Sequence, residues 1–305
     1  MLDESKKYCK GYDIILNKLS VTEQFSQFCN KNKPKDMDEA VKFFSVFGGL
    51  DIPVNTSIPL IKFIEKRILD DFRYFRNMVT ELTKGDISYH TILTGAALGD
   101  RRTSTAFRRA KVSKVHGLKC IDELYDMRVI DCESAMQNLC SDFDQLEISE
   151  KIIFEAPFLR FWFAFISPIF KGIRDRKYDE FKKEFQNREE EFFDLTFEQL
   201  SHEFLLKSSE DDKIDQIGSY WDDEHSVDIL AKTSKGKIIA GTCRYSNSKV
   251  KKSELTKLQE TCKKLNINVD TYVLFSKSGY TSELKSLKGD NLKLYTARNF
   301  KILID

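Results

Sequence analysis

No apolar run in this 305-residue sequence approaches the roughly 18 residues that a membrane-crossing helix needs. The chain also has no Gly-x-x-x-x-Gly-Lys-Ser/Thr loop. Gly48-Gly49 and the SKSGYT stretch have neither the spacing nor the lysine that would cradle phosphates, so nucleotide hydrolysis is not expected. The seven cysteines form no CxxC pair, and the four histidines show no metal-ligand spacing. Free thiols in a reducing cytosol are therefore expected, rather than disulfides or zinc. The opening MLDESKKYCK lacks the make-up of a signal peptide, and a cytoplasmic location follows as the expectation.

What is present fits a globular protein long enough for two domains: 41% of residues are hydrophobic and 32% charged. The formal net charge of +1 conceals strong segregation. Arg101 to Lys119 holds seven Lys/Arg and no Asp/Glu, and Lys232 to Lys264 holds ten against two. Between them, Gln186 to Glu224 holds three Lys/Arg against thirteen Asp/Glu. Any single run reads first as a solvated helix face, while two basic blocks together favour surfaces for phosphate backbones.

Along the chain, residues 1–55 read as short helices with polar breaks. From Ile58 a long apolar 3.6-residue period runs to a C-cap at Gly85. Ile87 to Leu98 reads as a short helix and GDRRTSTAFRRAK as a basic turn. Val112 to Met127 reads as an amphipathic helix, with Val112, Val115, Leu118, Ile121, Leu124 and Tyr125 on one face and Lys111, Lys114 and Lys119 opposite. RVIDCES follows as a strand candidate. This order predicts a winged helix-turn-helix over 56–140, although a small helical bundle has the same pattern. In Ile152 to Pro168, six aromatics among seventeen residues could stack bases. Their helical spacing beside Leu159 and Ile166 points to core instead.

Residues 141–206 follow as an acidic connector, the aromatic stretch and long charged helices. From Ile214 the period becomes that of strands: IGSYW, VDILAKT, KIIAGTCRY, TYVLFS and NLKLYTA. A helix capped by Ser253 lies between the third and fourth, and another in TSELKSL. The expected class is α+β or α/β, with an N-terminal helical part and a mixed-sheet α/β domain over 207–305.

PFLRFWFAFISP, IGSYWDDEHSVDILA, GTCRYSNSKV and LFSKSGYTSEL resemble the carboxy-terminal part of the archaeal-type ATPases, the domain of unknown function 234, which has a restriction-endonuclease-like PD-(D/E)XK fold. FGGLDIPVNTSIPLIKFIEKRILDDF resembles the tail of that family's ATPase lid, and the helical region its winged helix. The resemblance spans most of 45–300 but leaves out the family's nucleotide-binding domain.

The resemblance implies a site in which carboxylates hold Mg²⁺ or Mn²⁺ and a lysine steadies the nucleophile. Glu203 and Asp228 match two acidic positions and would be the metal ligands. The third carboxylate position holds Thr242, and the lysine position holds Arg244, which keeps its charge but is not readily deprotonated. Chemistry should be weakened unless Glu254 or Glu260, with Lys257, or Glu224 supplies the missing group. Arg244 is expected to contact a phosphate or pair with Asp228. Equally, Glu203 and Asp228 could be surface carboxylates on an inert sheet.

Three functions follow as expectations. The first is a DNA-binding protein with an impaired nuclease-like domain, using Arg101, Arg102, Arg108, Arg109, Lys111 and Lys114, with Lys249, Lys251 and Lys252 as a second patch. The second is a Mg²⁺- or Mn²⁺-dependent nuclease with a rearranged site. The third is an adaptor for a separate ATPase or other protein, using the acidic 186–224 segment. A homodimer is compatible with all three.

Overall fold

The computed structural model describes residues 19–140 and 147–304. Residues 1–18, which include Cys9, and the SDFDQL part of the acidic connector lie outside the described residues. In chain order the elements begin with α1 (Val21–Asn32), α2 (Met37–Phe47), α3 (Leu60–Ile64), α4 (Phe72–Leu82), α5 (Ile87–Ala97), α6 (Thr103–Ala110) and α7 (Lys114–Asp126). Next come β1 (Ile130–Glu133), β2 (Lys151–Phe154), α8 (Pro157–Phe161), α9 (Phe170–Arg174) and α10 (Asp179–Ser208). The chain finishes with β3 (Ile214–Trp221), β4 (Ser226–Thr233), β5 (Ile238–Arg244), α11 (Lys252–Lys264), β6 (Thr271–Ser276), α12 (Ser282–Ser286) and β7 (Leu292–Thr296). The fold is mixed α+β: a helical N-terminal part, then a five-stranded mixed sheet.

Two compact units divide these elements. One comprises Phe43–Cys132 and Lys151–Asn187, the other Leu19–Lys42, Glu133–Glu150 and Arg188–Asp305. The units alternate along the chain, whereas the boundaries read from composition, at 55, 140 and 206, assume continuous domains. Composition does not report them because α2 and α10 each run through a division without a break in helix.

The helical unit is built on aromatics. Phe158, Phe161, Trp162, Phe163 and Phe165 are all buried, so the aromatic stretch is core. Trp162 stacks on Phe72 with centroids 5.8 Å apart, and Phe161 packs edge-on against Phe181 and Phe185. The single helix expected after Ile58 is broken. A π-helical turn over Glu65–Leu69 follows α3, and α4 starts afresh at Phe72. Gly85 takes the left-handed conformation (φ +65) and its N–H bonds to the Thr80 carbonyl, as expected of a residue closing a helix.

The segment read as a basic turn is instead helix α6. Ala106 and Phe107 are buried on its inner face, and tertiary burial outweighs its run of Thr, Ser and Arg. Asp86 caps α5 by accepting from Ser88 N, and Ser113 caps α7 by accepting from His116 N. Gly117 permits close packing of α7 on α6, since a Cβ there would lie 2.6 Å from the Phe107 ring. β1 pairs with β2, and Arg102 forms an isolated antiparallel bridge to Lys151 at the start of β2.

The orientation of α7 corrects the sequence reading. Gly117, Cys120, Ile121 and Leu124 face inward, while Val115, Leu118 and Tyr125 are exposed. Helical spacing accommodates either face, and packing against Phe107 selects the one with the glycine.

In the second unit the strand order is β3-β4-β5-β6-β7. β3, β4 and β5 are antiparallel, and β5, β6 and β7 are parallel. The turn between β4 and β5 uses Gly236 at φ +80. Tyr220, Val227, Leu230, Ala240, Leu258, Cys262 and Ile267 form one buried cluster that includes one face of α11. Phe197 and Phe204 of α10 pack with Phe275, Tyr295 and Phe300 in another aromatic group. Helix α11 starts at Lys252 behind Lys251, so Ser253 lies inside the helix rather than capping it.

Candidate functional site

The carboxylate of Asp228 lies on β4 beside the end of β5. Its Oδ2 accepts from Thr242 Oγ1 at 2.7 Å, from Cys243 N at 2.9 Å and from Arg244 Nη1 at 3.1 Å. The antiparallel pairing of β4 with β5 brings these residues together, since the register Ile229↔Gly241 sets Asp228 beside Thr242. Thr242 is buried, and the side chain of Asp228 is 24% exposed.

Arg244 reaches a second carboxylate. Its Nε donates to Glu254 Oε2 at 3.1 Å, and Lys257 Nζ donates to Glu254 Oε1 at 3.1 Å. One guanidinium therefore joins β4, β5 and the first turn of α11. Burial alone would lower the Arg244 pKa, but Asp228, Glu254 and Asp194 outweigh it and push it above the usual arginine value. Burial alone would raise Glu254, yet Lys257 and Arg244 hold it below its ordinary value. Arg244 is thus a fixed cation between carboxylates, and proton abstraction by it is excluded chemically.

Behind this row α10 contributes polar groups. Asp194 Oδ1 accepts from Tyr245 N at 2.9 Å, and Glu198 Oε1 accepts from Ser219 Oγ at 3.0 Å. Ser219 Oγ is also 3.1 Å from the Asp228 carbonyl, and His202 Nε2 is 2.8 Å from the same oxygen. The Cys243 thiol is buried, and burial, reinforced by Asp228 and Glu198, pushes it well above its ordinary range. A reactive thiolate has no place there. Beyond the site, Tyr245 donates its hydroxyl to Asp38 Oδ1 at 2.6 Å, and Lys277 lies over the Tyr245 ring with its Nζ 4.7 Å from the centroid.

Of the residues singled out from sequence, Asp228, Thr242 and Arg244 are brought together, and Glu254 with Lys257 joins them. Glu203 is engaged elsewhere, accepting a hydrogen bond from Thr22 Oγ1 on α1. Glu224 lies in the turn between β3 and β4, with its N–H on Asp222 Oδ1, and Glu260 is exposed on α11. Asp194, Glu198, His202 and Ser219 were not read from the sequence. The first three lie four residues apart on α10 and so share one helical face, a spacing that could have flagged them.

Among the described residues no group of three or more His, Cys, Asp or Glu is arranged to hold a metal ion. The donor set around Asp228 does not fit Mg²⁺ or Mn²⁺, which require several oxygen ligands. Thr242 is neutral, and a guanidinium takes the charge that a metal would supply.

The basic residues separate by exposure. Arg101 is buried at 8% exposed, in the left-handed conformation (φ +67), with its carbonyl accepting from Ile152 N. Its backbone role puts it inside the unit, which corrects its assignment to a phosphate-facing surface. Arg102 pairs with Asp100 at 3.4 Å. Arg108, Arg109, Lys111 and Lys114 are exposed around the turn from α6 to α7, with Arg109 Nη1 also donating to the Leu98 carbonyl. Lys249, Lys251 and Lys252 are exposed at the start of α11, Lys252 lying 3.5 Å from Glu283.

Residues 162–258 match the family model DUF234, described as archaea bacterial proteins of unknown function. The chain carries a DUF234 family region. That region runs from the buried Trp162 through α10 and β3–β5 into α11, so it holds Asp194, Asp228, Thr242, Arg244, Glu254 and Lys257. No curated protein and no solved structure matches the chain. Among the described residues no helix is long and apolar enough to cross a membrane.

Proposed function

We propose that this chain is a DNA-binding protein in which a restriction-endonuclease-like DUF234 region serves as a scaffold and does not cut. The observation that carries binding is the exposed cation group Arg108, Arg109, Lys111 and Lys114 at the junction of two packed helices. The order α5, Arg102 bridge, α6, α7, β1, β2 supports reading this unit as a winged helix, in which a short bridging strand precedes the second helix. Cations at such a junction neutralise phosphates and set the orientation of the module without reading bases. Lys249, Lys251 and Lys252 supply a second cationic group in the other unit.

Loss of cutting rests on Arg244. The sheet order, with antiparallel β3-β4-β5 followed by parallel β6, supports the nuclease-like reading. Yet Asp228 and Glu254 are both engaged by one guanidinium, and Thr242 brings no charge.

The test is binding of a fluorescent duplex across a salt series, with parallel incubation of plasmid with Mg²⁺ or Mn²⁺. Affinity that falls steeply with salt, with plasmid left intact, supports the reading. Salt-insensitive binding removes it. Cutting that Asp228→Ala abolishes would make the chain a nuclease instead.

A further inference from the structure

We infer that the outward face of α7 pairs with α7 of a second copy of this chain, antiparallel and about a two-fold axis beside Asp122. Val115 is 82% exposed, Leu118 43% and Tyr125 56%, so three large apolar side chains stand in solvent along one helix. Ile87, at the start of α5, is also exposed, at 79%. Three large apolar side chains interleaved with charges on one exposed helical face form the surface used in this pairing.

The charges on α7 choose the occupant. Its N-terminal half carries Lys114 and Lys119, and its C-terminal half carries Asp122, Glu123 and Asp126. No acid lies in its first turn and no base in its last, the reverse of what its own dipole favours. An antiparallel neighbour with the same sequence offsets both mismatches. The acidic half disfavours a nucleic-acid backbone along the same face.

The spacing supports a two-fold pairing. Leu118 and Tyr125 are seven residues apart on one edge of the stripe, and Lys119 and Asp126 are seven apart on the other. Around a two-fold axis each edge meets itself reversed. Leu118 then packs on the partner's Tyr125, and Lys119 reaches the partner's Asp126. Lys119 also comes within reach of the partner's Asp122, which offsets the approach of the two Asp122 carboxylates at the axis. Of the phosphate-facing residues, Arg108, Arg109 and Lys111 lie outside α7 and are not used in this pairing, and only Lys114, in its first turn, is carried by the paired helix.

Sedimentation velocity over a concentration series, without DNA, tests the pairing independently of the binding reading. A reversible dimer in the micromolar range is expected. Leu118→Asp should abolish it while circular dichroism stays unchanged, since the residue is exposed. Lys119→Asp and Asp126→Lys should each weaken it several-fold, and combining the two should restore it. A protein that stays monomeric overturns the inference. So does a dimer indifferent to Leu118→Asp, or one that the charge swap fails to rescue.

Discussion

Thr242 donates its hydroxyl to Asp228 Oδ2 at 2.7 Å, so a neutral side chain on β5 is a direct partner of the carboxylate across from it on β4. Arg244, two residues further along β5, lies 3.1 Å from the same oxygen. Together a hydroxyl and a guanidinium thus hold the Asp228 carboxylate.

Removing the acceptor should therefore destabilise the fold. Asp228→Ala leaves Thr242, the Cys243 N–H and Arg244 without this partner, and a cost of about 1–3 kcal/mol is expected. Urea denaturation monitored by tryptophan fluorescence measures it. An unchanged midpoint would show that the three bonds are replaced by water.

Replacing both partners of Asp228 with a carboxylate and a lysine should confer cation sensitivity. In Thr242→Glu combined with Arg244→Lys, three carboxylates (the introduced one, Asp228 and Glu254) are left with weaker internal compensation. Its melting temperature should rise on addition of Mn²⁺, while the parent protein's stays unchanged. Equal shifts in both proteins would sink the idea that Arg244 occupies the cation's role.

The acid limb of stability should contain Glu254. Its carboxyl is held below the ordinary value of 4.5 by Lys257 and Arg244 against the opposing effect of burial. A depressed folded-state pKa contributes stability that is full above the unfolded value and is lost as pH falls through the folded one. Stability should thus decline as pH drops below about 4.5, and Glu254→Gln should flatten that decline. Parallel acid limbs for the two proteins would contradict it.

Tyr245 is buried, and its hydroxyl bonds the Asp38 carboxylate at 2.6 Å. Tyr245→Phe keeps the ring against Phe193 and Phe197 but removes that donor. A loss of about 1.5–3 kcal/mol is expected for a bond to a charged group. Equilibrium denaturation reads it directly.

Exposure should sort the arginines by effect. Arg108→Ala and Lys111→Ala should weaken DNA binding and each reduce the salt slope by about 1. Arg101→Ala, at a buried position, should instead lower the melting temperature. A salt slope that changes only in the Arg101 variant would reverse the assignment.

The strands from β3 to β7 and the long helix α10 were legible because alternation and helical period are local properties of the chain. The same holds for the aromatic stretch: six large rings at helical spacing had to be buried somewhere, and they are. Pairing of Arg244 with Asp228 was one of two expectations open to the sequence, because a short turn joins β4 to β5 and its register sets the far ends of the two strands side by side. What only packing decided is everything that depends on a distant neighbour. Thr22 on α1 engages Glu203, while α11 carries Glu254 and Lys257 to Arg244. The ring of Phe107 turns α7 so that Gly117 faces inward and Val115, Leu118 and Tyr125 face water. Local sequence restricts a helix to a few candidate faces, but the buried one is chosen by the surface it meets.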